Sequence, residues 1–172
     1  MEFFTILFYN IDVMYMKKRV LISYLSYSKL SLNTAYNLYD LLDKNKYDIH
    51  LLDISNYFNN KINIFNNYLF KDYKISLLNG LLYKVMNNKI VSKQYYKYSI
   101  KCFDSTNLRD YFKKINPELI ICTHYSASYI SAYYNKSKLI NSKIVNFVTD
   151  YTMHESWTIN SKEIDKYVVQ ND

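Results

Sequence analysis

The chain has 172 residues, 49% of them apolar, which is long enough for one compact domain with a sizeable core and too apolar for a disordered protein. Its single glycine, Gly80, excludes the glycine-rich phosphate loops of the P-loop and G-x-G-x-x-G classes. The two cysteines and three histidines show no metal-ligand spacing, so no metal site is predicted, and the formal net charge is +7.

Residues 1–16 are predicted to be an N-terminal extension that precedes the folded domain. Their apolar run is interrupted by Asn10 and Asp12, well before the length that a bilayer span needs. The run also lacks the basic flank and the small-residue cleavage site of a signal peptide. Met16 leads directly into the first predicted strand, which favours it as the natural start and places the domain at 17–172.

The segment after Met16 predicts a β-α-β unit. Strands are predicted over 19–25 and 48–54, because both are short apolar runs bounded by polar residues. Between them, apolar residues recur at helical spacing over 31–42, and Ser31 is the predicted N-cap. A strand, a helix and a strand in that order indicate the start of a parallel sheet.

Residues 61–101 are predicted to form a basic amphipathic helical region. They contain eight lysines and one acid, Asp72, and the rest of the chain balances at 14 basic and 14 acidic residues. Apolar residues between Leu78 and Val85 follow the spacing of one helix face. Such a segment is typical of a surface that contacts anionic lipid, where each lysine contributes about 1 kcal/mol. A solvated lysine face over an ordinary core helix is the alternative, and a nucleic-acid surface is a third possibility.

The remainder of the chain continues the alternation of strands and helices. A helix over 108–115 is expected, capped by Asp104 or Ser105 and ended by Asn116 and Pro117. Another helix is predicted over 126–138, and strands over 119–124, 144–150 and 165–169. This order predicts an α/β fold, Rossmann-like and doubly wound, with a mainly parallel sheet whose ligand crevice lies beyond the carboxyl ends of the strands.

Four segments, in order, resemble the N-terminal domain of the monogalactosyldiacylglycerol synthase family, which includes bacterial processive diacylglycerol glucosyltransferases. Together they extend over most of 17–172. The most specific of them runs from Thr149-Asp150-Tyr151 through His154 and Trp157 to an Asp-x-Tyr motif. The segment 19–27 resembles the family's first strand and the start of its loop, and 116–124 resembles its KPDIIISTHP strand. The segment 144–151 resembles VVTVVTDY, and 154–169 resembles HxxW…vDxYfV.

The resemblance implies the acceptor-binding half of a GT-B glycosyltransferase that moves a hexose to diacylglycerol at the cytoplasmic face of a membrane. It implies that a UDP-hexose binds a separate C-terminal donor domain, and that this chain itself holds no cofactor and no nucleic acid. The residues that it points to are Asp150 and His154 for catalysis, Thr123, His124, Tyr151 and Trp157 for the acceptor, and Lys71, Lys74, Lys84 and Lys89 for the anionic membrane surface.

Two departures from the family pattern bear on activity. The family's Gly-Asn-Gly-His loop is replaced by residues 28–31, so Ser31 stands at the position of the proposed catalytic histidine, and a serine hydroxyl is far too weak a base to act unaided. The sequence stops at Asp172, where a linker to the donor domain is expected. The isolated chain is therefore expected to be inactive, and a non-catalytic peripheral membrane-binding remnant is the alternative, followed by a nucleic-acid-binding domain.

Several of these residues also have plain structural explanations. Trp157 suits a packing role, Asp150 suits a turn cap, and His154 suits a surface loop. The 21 tyrosines, Tyr95 and Tyr96 among them, follow a bias toward Tyr, Asn, Lys and Ile, so no aromatic site is inferred from them.

Overall fold

Parallel strands with helices on both faces of their sheet form the part of the chain that the computed structural model describes, residues 17–57, 84, 87–150 and 153–169. Its strands are β1 (Lys18–Tyr24), β2 (Tyr47–Asp53), β3 (Leu119–Cys122), β4 (Lys143–Phe147) and β5 (Lys166–Val168). Its α-helices are α1 (Lys29–Leu41), α2 (Lys89–Phe103), α3 (Thr106–Ile115), α4 (Tyr125–Lys136) and the single turn α5 (Glu155–Thr158), with 3-10 turns at Ile54–Tyr57 and Ser161–Glu163. The predicted Rossmann-like α/β fold is confirmed.

The strand order is β2-β1-β3-β4-β5, and every neighbouring pair is parallel. The order reverses between β1 and β3, which is the point where ligands bind in doubly wound sheets. In the register of the sheet, Ser23 lies opposite Cys122, and Cys122 lies opposite Asn146. The loops that follow β1, β3 and β4 therefore meet at one edge of the sheet.

The core has one layer on each face of the sheet, because the central strands are buried on both sides. Val20 and Ile22 of β1 pack with Ala35 of α1 on one face. Leu21 of β1 packs on the other face with Phe112 of α3 and with α4. Near-continuous apolar strands are what burial on two faces requires.

The start of α1 differs from the prediction. Ser28, not Ser31, is the N-cap, since its backbone is extended and its hydroxyl accepts a hydrogen bond from the Ser31 N–H. The helix consequently begins at Lys29 and puts Ser31 in its buried first turn. Helix α3 agrees better with the sequence, with Ser105 as its N-cap and Asn116 ending it in the left-handed region.

Strands β3 and β4 end earlier than predicted, at Cys122 and Phe147. His124 leaves the strand because its side chain caps α4 by accepting the Ser126 N–H. Thr149 and Asp150 are likewise released into the loop after β4. Both strands thus deliver their last polar residues to the crevice edge as loop residues.

The basic region predicted over 61–101 is described only at Lys84 and from residue 87 onward, and this latter part contains α2. Within α2, Lys89, Lys93, Lys97 and Lys101 follow one another at intervals of four residues, and all four are exposed. Residues 1–16, like Lys71, Lys74 and Tyr151, lie outside the described residues. In the described part of the chain, no helix combines the length and apolar character needed to cross a bilayer.

Candidate functional site

Asp150 is the centre of a polar cluster at the carboxyl edge of the sheet. Its Oδ2 atom accepts a hydrogen bond from Trp157 Nε1 at 2.6 Å and lies 3.1 Å from His154 Nε2. The Tyr125 ring lies 5.2 Å from the His154 ring and 4.2 Å from the ring of His124. We call these five residues the Asp150 cluster. His124, Asp150, His154 and Trp157, which the family resemblance points to for catalysis or acceptor binding, therefore lie together in the structure.

Asp150 is the member of the cluster that solvent reaches. Its side chain keeps 39% of its surface exposed, whereas that of His154 keeps only 7%. A substrate hydroxyl entering from the crevice would therefore meet the Asp150 carboxylate first. His154 is buried and lies 3.1 Å from the carboxylate, so the surface-loop alternative does not describe it.

The pKa of Asp150 is lowered. Burial alone would raise it, but hydrogen bonds from His154 and Trp157 and the nearby imidazoles outweigh that effect. The carboxylate is consequently ionised at neutral pH and remains a hydrogen-bond acceptor.

His124 is a buried neutral histidine that belongs to the frame of the site. Its Nδ1 accepts the Ser126 N–H at 3.1 Å, which caps α4 and assigns the ring proton to Nε2. Burial lowers the pKa of His124 to about 4, with Asp150 opposing that shift and His154 adding to it. Its ring is 6% exposed, so it offers little surface to an acceptor.

His124 makes stability fall in mild acid. The unfolded chain takes up a proton near pH 6.5 while the folded chain resists until about pH 4, so the free energy of unfolding should drop by about 1.4 kcal/mol per pH unit within that window. Asp150 changes the stability only below pH 3.8. Because its pKa is lowered in the folded chain, the ionised carboxylate stabilises the fold above that pH, and this stabilisation is lost as the pH falls further. His124→Asn retains a cap acceptor and should flatten the dependence of the free energy of unfolding on pH, measured by urea titration. An unchanged dependence would show that His124 is not its cause.

Ser31 and Thr123 form a buried clasp across the β1–β3 switch point. The Thr123 hydroxyl donates to the Ser31 carbonyl at 3.0 Å, and the two hydroxyls lie 2.9 Å apart. The Ser31 hydroxyl also accepts the Leu25 N–H at 3.2 Å, while the Thr149 hydroxyl donates to the Thr123 carbonyl at 3.1 Å. Both clasp residues are fully buried. This geometry gives them a structural role and leaves no surface of Ser31 for a catalytic contact.

The clasp should be visible in stability. Ser31→Ala leaves the buried Leu25 N–H without its acceptor and removes the contact with the Thr123 hydroxyl. We therefore expect a loss of about 1–3 kcal/mol in the free energy of unfolding. The exposed Ser161→Ala should change it by less than about 0.5 kcal/mol. Equal effects in chemical denaturation would contradict the assignment.

Trp157 is 1% exposed and packs edge-to-face on Tyr125, with 6.1 Å between their ring centres. The packing alternative therefore describes it better than direct contact with an acceptor. Its indole N–H nevertheless fixes the Asp150 carboxylate, so it belongs to the site as a positioning residue.

Tyrosines to which the sequence assigned no role pack against Tyr125 of this cluster and against its neighbour Tyr129. Tyr95 lies 6.1 Å from Tyr125, and Tyr96 lies 5.1 Å from Tyr129, both edge-to-face. Burial raises the pKa of Tyr129 and of Tyr95. The i, i+4 spacing of Tyr125 and Tyr129 on one helix face was the sequence signal for this aromatic packing. With 21 tyrosines in the chain, that spacing did not stand out.

Lys84 and Lys89, predicted to bind the membrane, are both exposed. A groove of about 440 Å³ opens beside α5 and is lined by Lys89, Lys93, Lys136, Glu155, Thr158, Ile159, Asn160, Ser161, Lys162 and Glu163. Among the residues that the structure describes, no three His, Cys, Asp or Glu side chains are grouped as a metal site.

Comparison with known families agrees with this architecture. Residues 31–172 match the family described as monogalactosyldiacylglycerol (MGDG) synthase. Searches among curated proteins and among solved structures returned no significant match. The matched range includes the whole Asp150 cluster and four of the five strands. Because the match extends over most of the sequence, this chain belongs to the MGDG synthase family, as its N-terminal domain.

Proposed function

We propose that this chain is the acceptor-side domain of a GT-B enzyme that moves a hexose from a sugar nucleotide to diacylglycerol. The observation that carries the proposal is the Asp150 cluster, an ionised and partly exposed carboxylate at the crevice edge within the matched range. Family membership supports glycolipid glycosyl transfer. The acceptor lipid and the hexose are our inference.

The chemistry assigned to the site is proton acceptance. The acceptor hydroxyl oxygen bonds to the anomeric carbon, the bond from that carbon to the nucleotide phosphate oxygen breaks, and the diphosphate leaves with the electron pair. The hydroxyl proton passes to the Asp150 carboxylate, which His154 and Trp157 hold in place. A carboxylate with a lowered pKa is a weak base, so the donor domain must supply most of the leaving-group activation.

The sugar nucleotide, a UDP-hexose, is proposed to bind a C-terminal donor domain that faces this one across a cleft. This chain alone is then inactive and holds no nucleotide. Lys84 and Lys89, which are exposed, are proposed to lie with Lys71 and Lys74 against the anionic cytoplasmic face of a membrane, where they place the crevice near diacylglycerol.

The test is hexose transfer in a defined mixture. The chain, a donor domain of the same family and UDP-galactose or UDP-glucose are incubated with vesicles that contain diacylglycerol, and labelled glycolipid is measured. We expect transfer only when both proteins and diacylglycerol are present. Transfer absent with every donor domain, although both proteins fold and bind vesicles, would overturn the proposal.

A second candidate function is a non-catalytic, membrane-binding relative of the enzyme. The favouring observation is Ser31, which replaces the family's loop histidine and is fully buried. This candidate predicts vesicle binding that weakens with salt and no transfer in any mixture. Grafting the Gly-Asn-Gly-His loop onto residues 28–31 and fusing a donor domain should then create transfer, whereas the first candidate shows it without the graft.

A further inference from the structure

Four lysines line the groove beside α5. Lys89 and Lys93 come from successive turns of α2, Lys136 from the last turn of α4, and Lys162 from the 3-10 turn before β5. Segments that are remote in sequence thus contribute lysines to the lining of one cavity of about 440 Å³. This convergence is a property of the fold, since only Lys89 and Lys93 are neighbours along the chain.

The charges of the groove are not balanced within the protein. Glu155 and Glu163 also line it, so four lysines against two glutamates leave a formal surplus of two positive charges. None of the four lysines forms an ion pair within 4.0 Å with another residue of the described chain, whereas Lys44, Lys46 and Lys143 do. The Glu155 carboxylate instead lies 3.3 Å from the Thr158 hydroxyl that donates to it.

We propose that this groove is a binding site for a phosphate monoester. A phosphate monoester carries between about −1.5 and −2 charges at pH 7, which matches the surplus charge of the groove. Each of its three acceptor oxygens can take a hydrogen bond from a lysine ammonium group. The hydroxyls of Thr158 and Ser161 and the amide of Asn160 supply neutral hydrogen-bonding groups along the same lining. Glu155 and Glu163 suit an organic part with hydroxyl groups, because carboxylates accept hydrogen bonds from them.

The site differs from a diffuse basic surface in a way that α2 itself allows us to test. Lys97 and Lys101 continue the lysine row of α2 and are exposed, but they do not line the groove. Removing either pair lowers the net charge equally and leaves the helix equally long. Only a localised site distinguishes Lys89 and Lys93 from Lys97 and Lys101.

The phosphate can come from solution or from a lipid headgroup, and two probes separate these sources. Binding of inorganic phosphate to the full chain is measured by calorimetry. Binding to vesicles of phosphatidylcholine and phosphatidic acid in equal parts is measured by co-sedimentation, with phosphatidylcholine vesicles as the blank. Each is repeated with Lys89→Gln/Lys93→Gln and with the matched control Lys97→Gln/Lys101→Gln, after circular dichroism confirms folding.

We expect the groove pair to weaken binding at least roughly tenfold and the control pair to change it by less than about threefold. Loss of inorganic phosphate binding in the groove pair supports a soluble ligand; loss confined to vesicle binding supports a headgroup. Equal weakening by both pairs, or no binding of either probe by the natural chain, overturns the site. The result does not depend on hexose transfer, since Asp150→Asn should leave both bindings unchanged.

Discussion

Asp150→Asn should reduce hexose transfer by about a hundredfold or more in the mixture of this chain with a donor domain, because a positioned proton acceptor contributes about 10²–10⁴ in rate. The amide keeps the size of the side chain and can still accept the Trp157 N–H. It cannot take the proton of the acceptor hydroxyl. The measurement is the initial rate of labelled glycolipid formation at saturating diacylglycerol.

The matched control for this prediction is Asp110→Asn, which neutralises an exposed carboxylate on α3. It should leave the rate within about twofold, since exposed charges away from a site have small effects. His154→Gln should fall between the two, because it removes the group behind the carboxylate but not the carboxylate itself. If Asp150→Asn keeps most of the rate, the proton goes elsewhere and the role assigned to the cluster is wrong.

Trp157→Ala should destabilise the fold by about 3–5 kcal/mol, the usual cost of removing a large buried aromatic side chain. The indole is almost fully buried among Tyr125, Tyr129 and Val148. Its loss also strips one hydrogen bond from the Asp150 carboxylate. Urea-induced unfolding followed by circular dichroism measures the change.

Two further variants separate packing from hydrogen bonding at this position. Trp157→Phe keeps a ring but loses the indole N–H, so it should cost about 1.5–3 kcal/mol and raise the pKa of Asp150. Tyr98→Ala removes an aromatic that is 55% exposed on α2 and should cost under about 0.5 kcal/mol. A Trp157→Ala protein as stable as Tyr98→Ala would contradict the packing role and favour the acceptor-binding role that the family resemblance implies.

The sequence by itself determined the parallel α/β fold, because short apolar runs separated by helical patterns have few other arrangements, and β1 and β3 are apolar on both faces. It also placed Asp150 at a strand end and His154 in the loop that follows, and singled both out by their resemblance to a family motif. The pattern alone did not determine where the elements begin and end. Whether Ser28 or Ser31 caps α1 depends on which serine hydroxyl accepts a backbone N–H of the first turn, and in the structure the Ser28 hydroxyl accepts the Ser31 N–H.

Only the tertiary structure decided which side chains face the crevice. Asp150 is partly exposed, whereas His154 is buried beside Tyr125 of α4, and no pattern within one segment predicts that contact. The buried clasp of Ser31 with Thr123 and the groove lined by Lys93, Lys136 and Lys162 join residues that are distant in the chain. The burial of a side chain and the grouping of lysines from different segments arise from packing between helices and strands. The spacing of residues in the sequence indicates only which side chains share a face of one helix or strand.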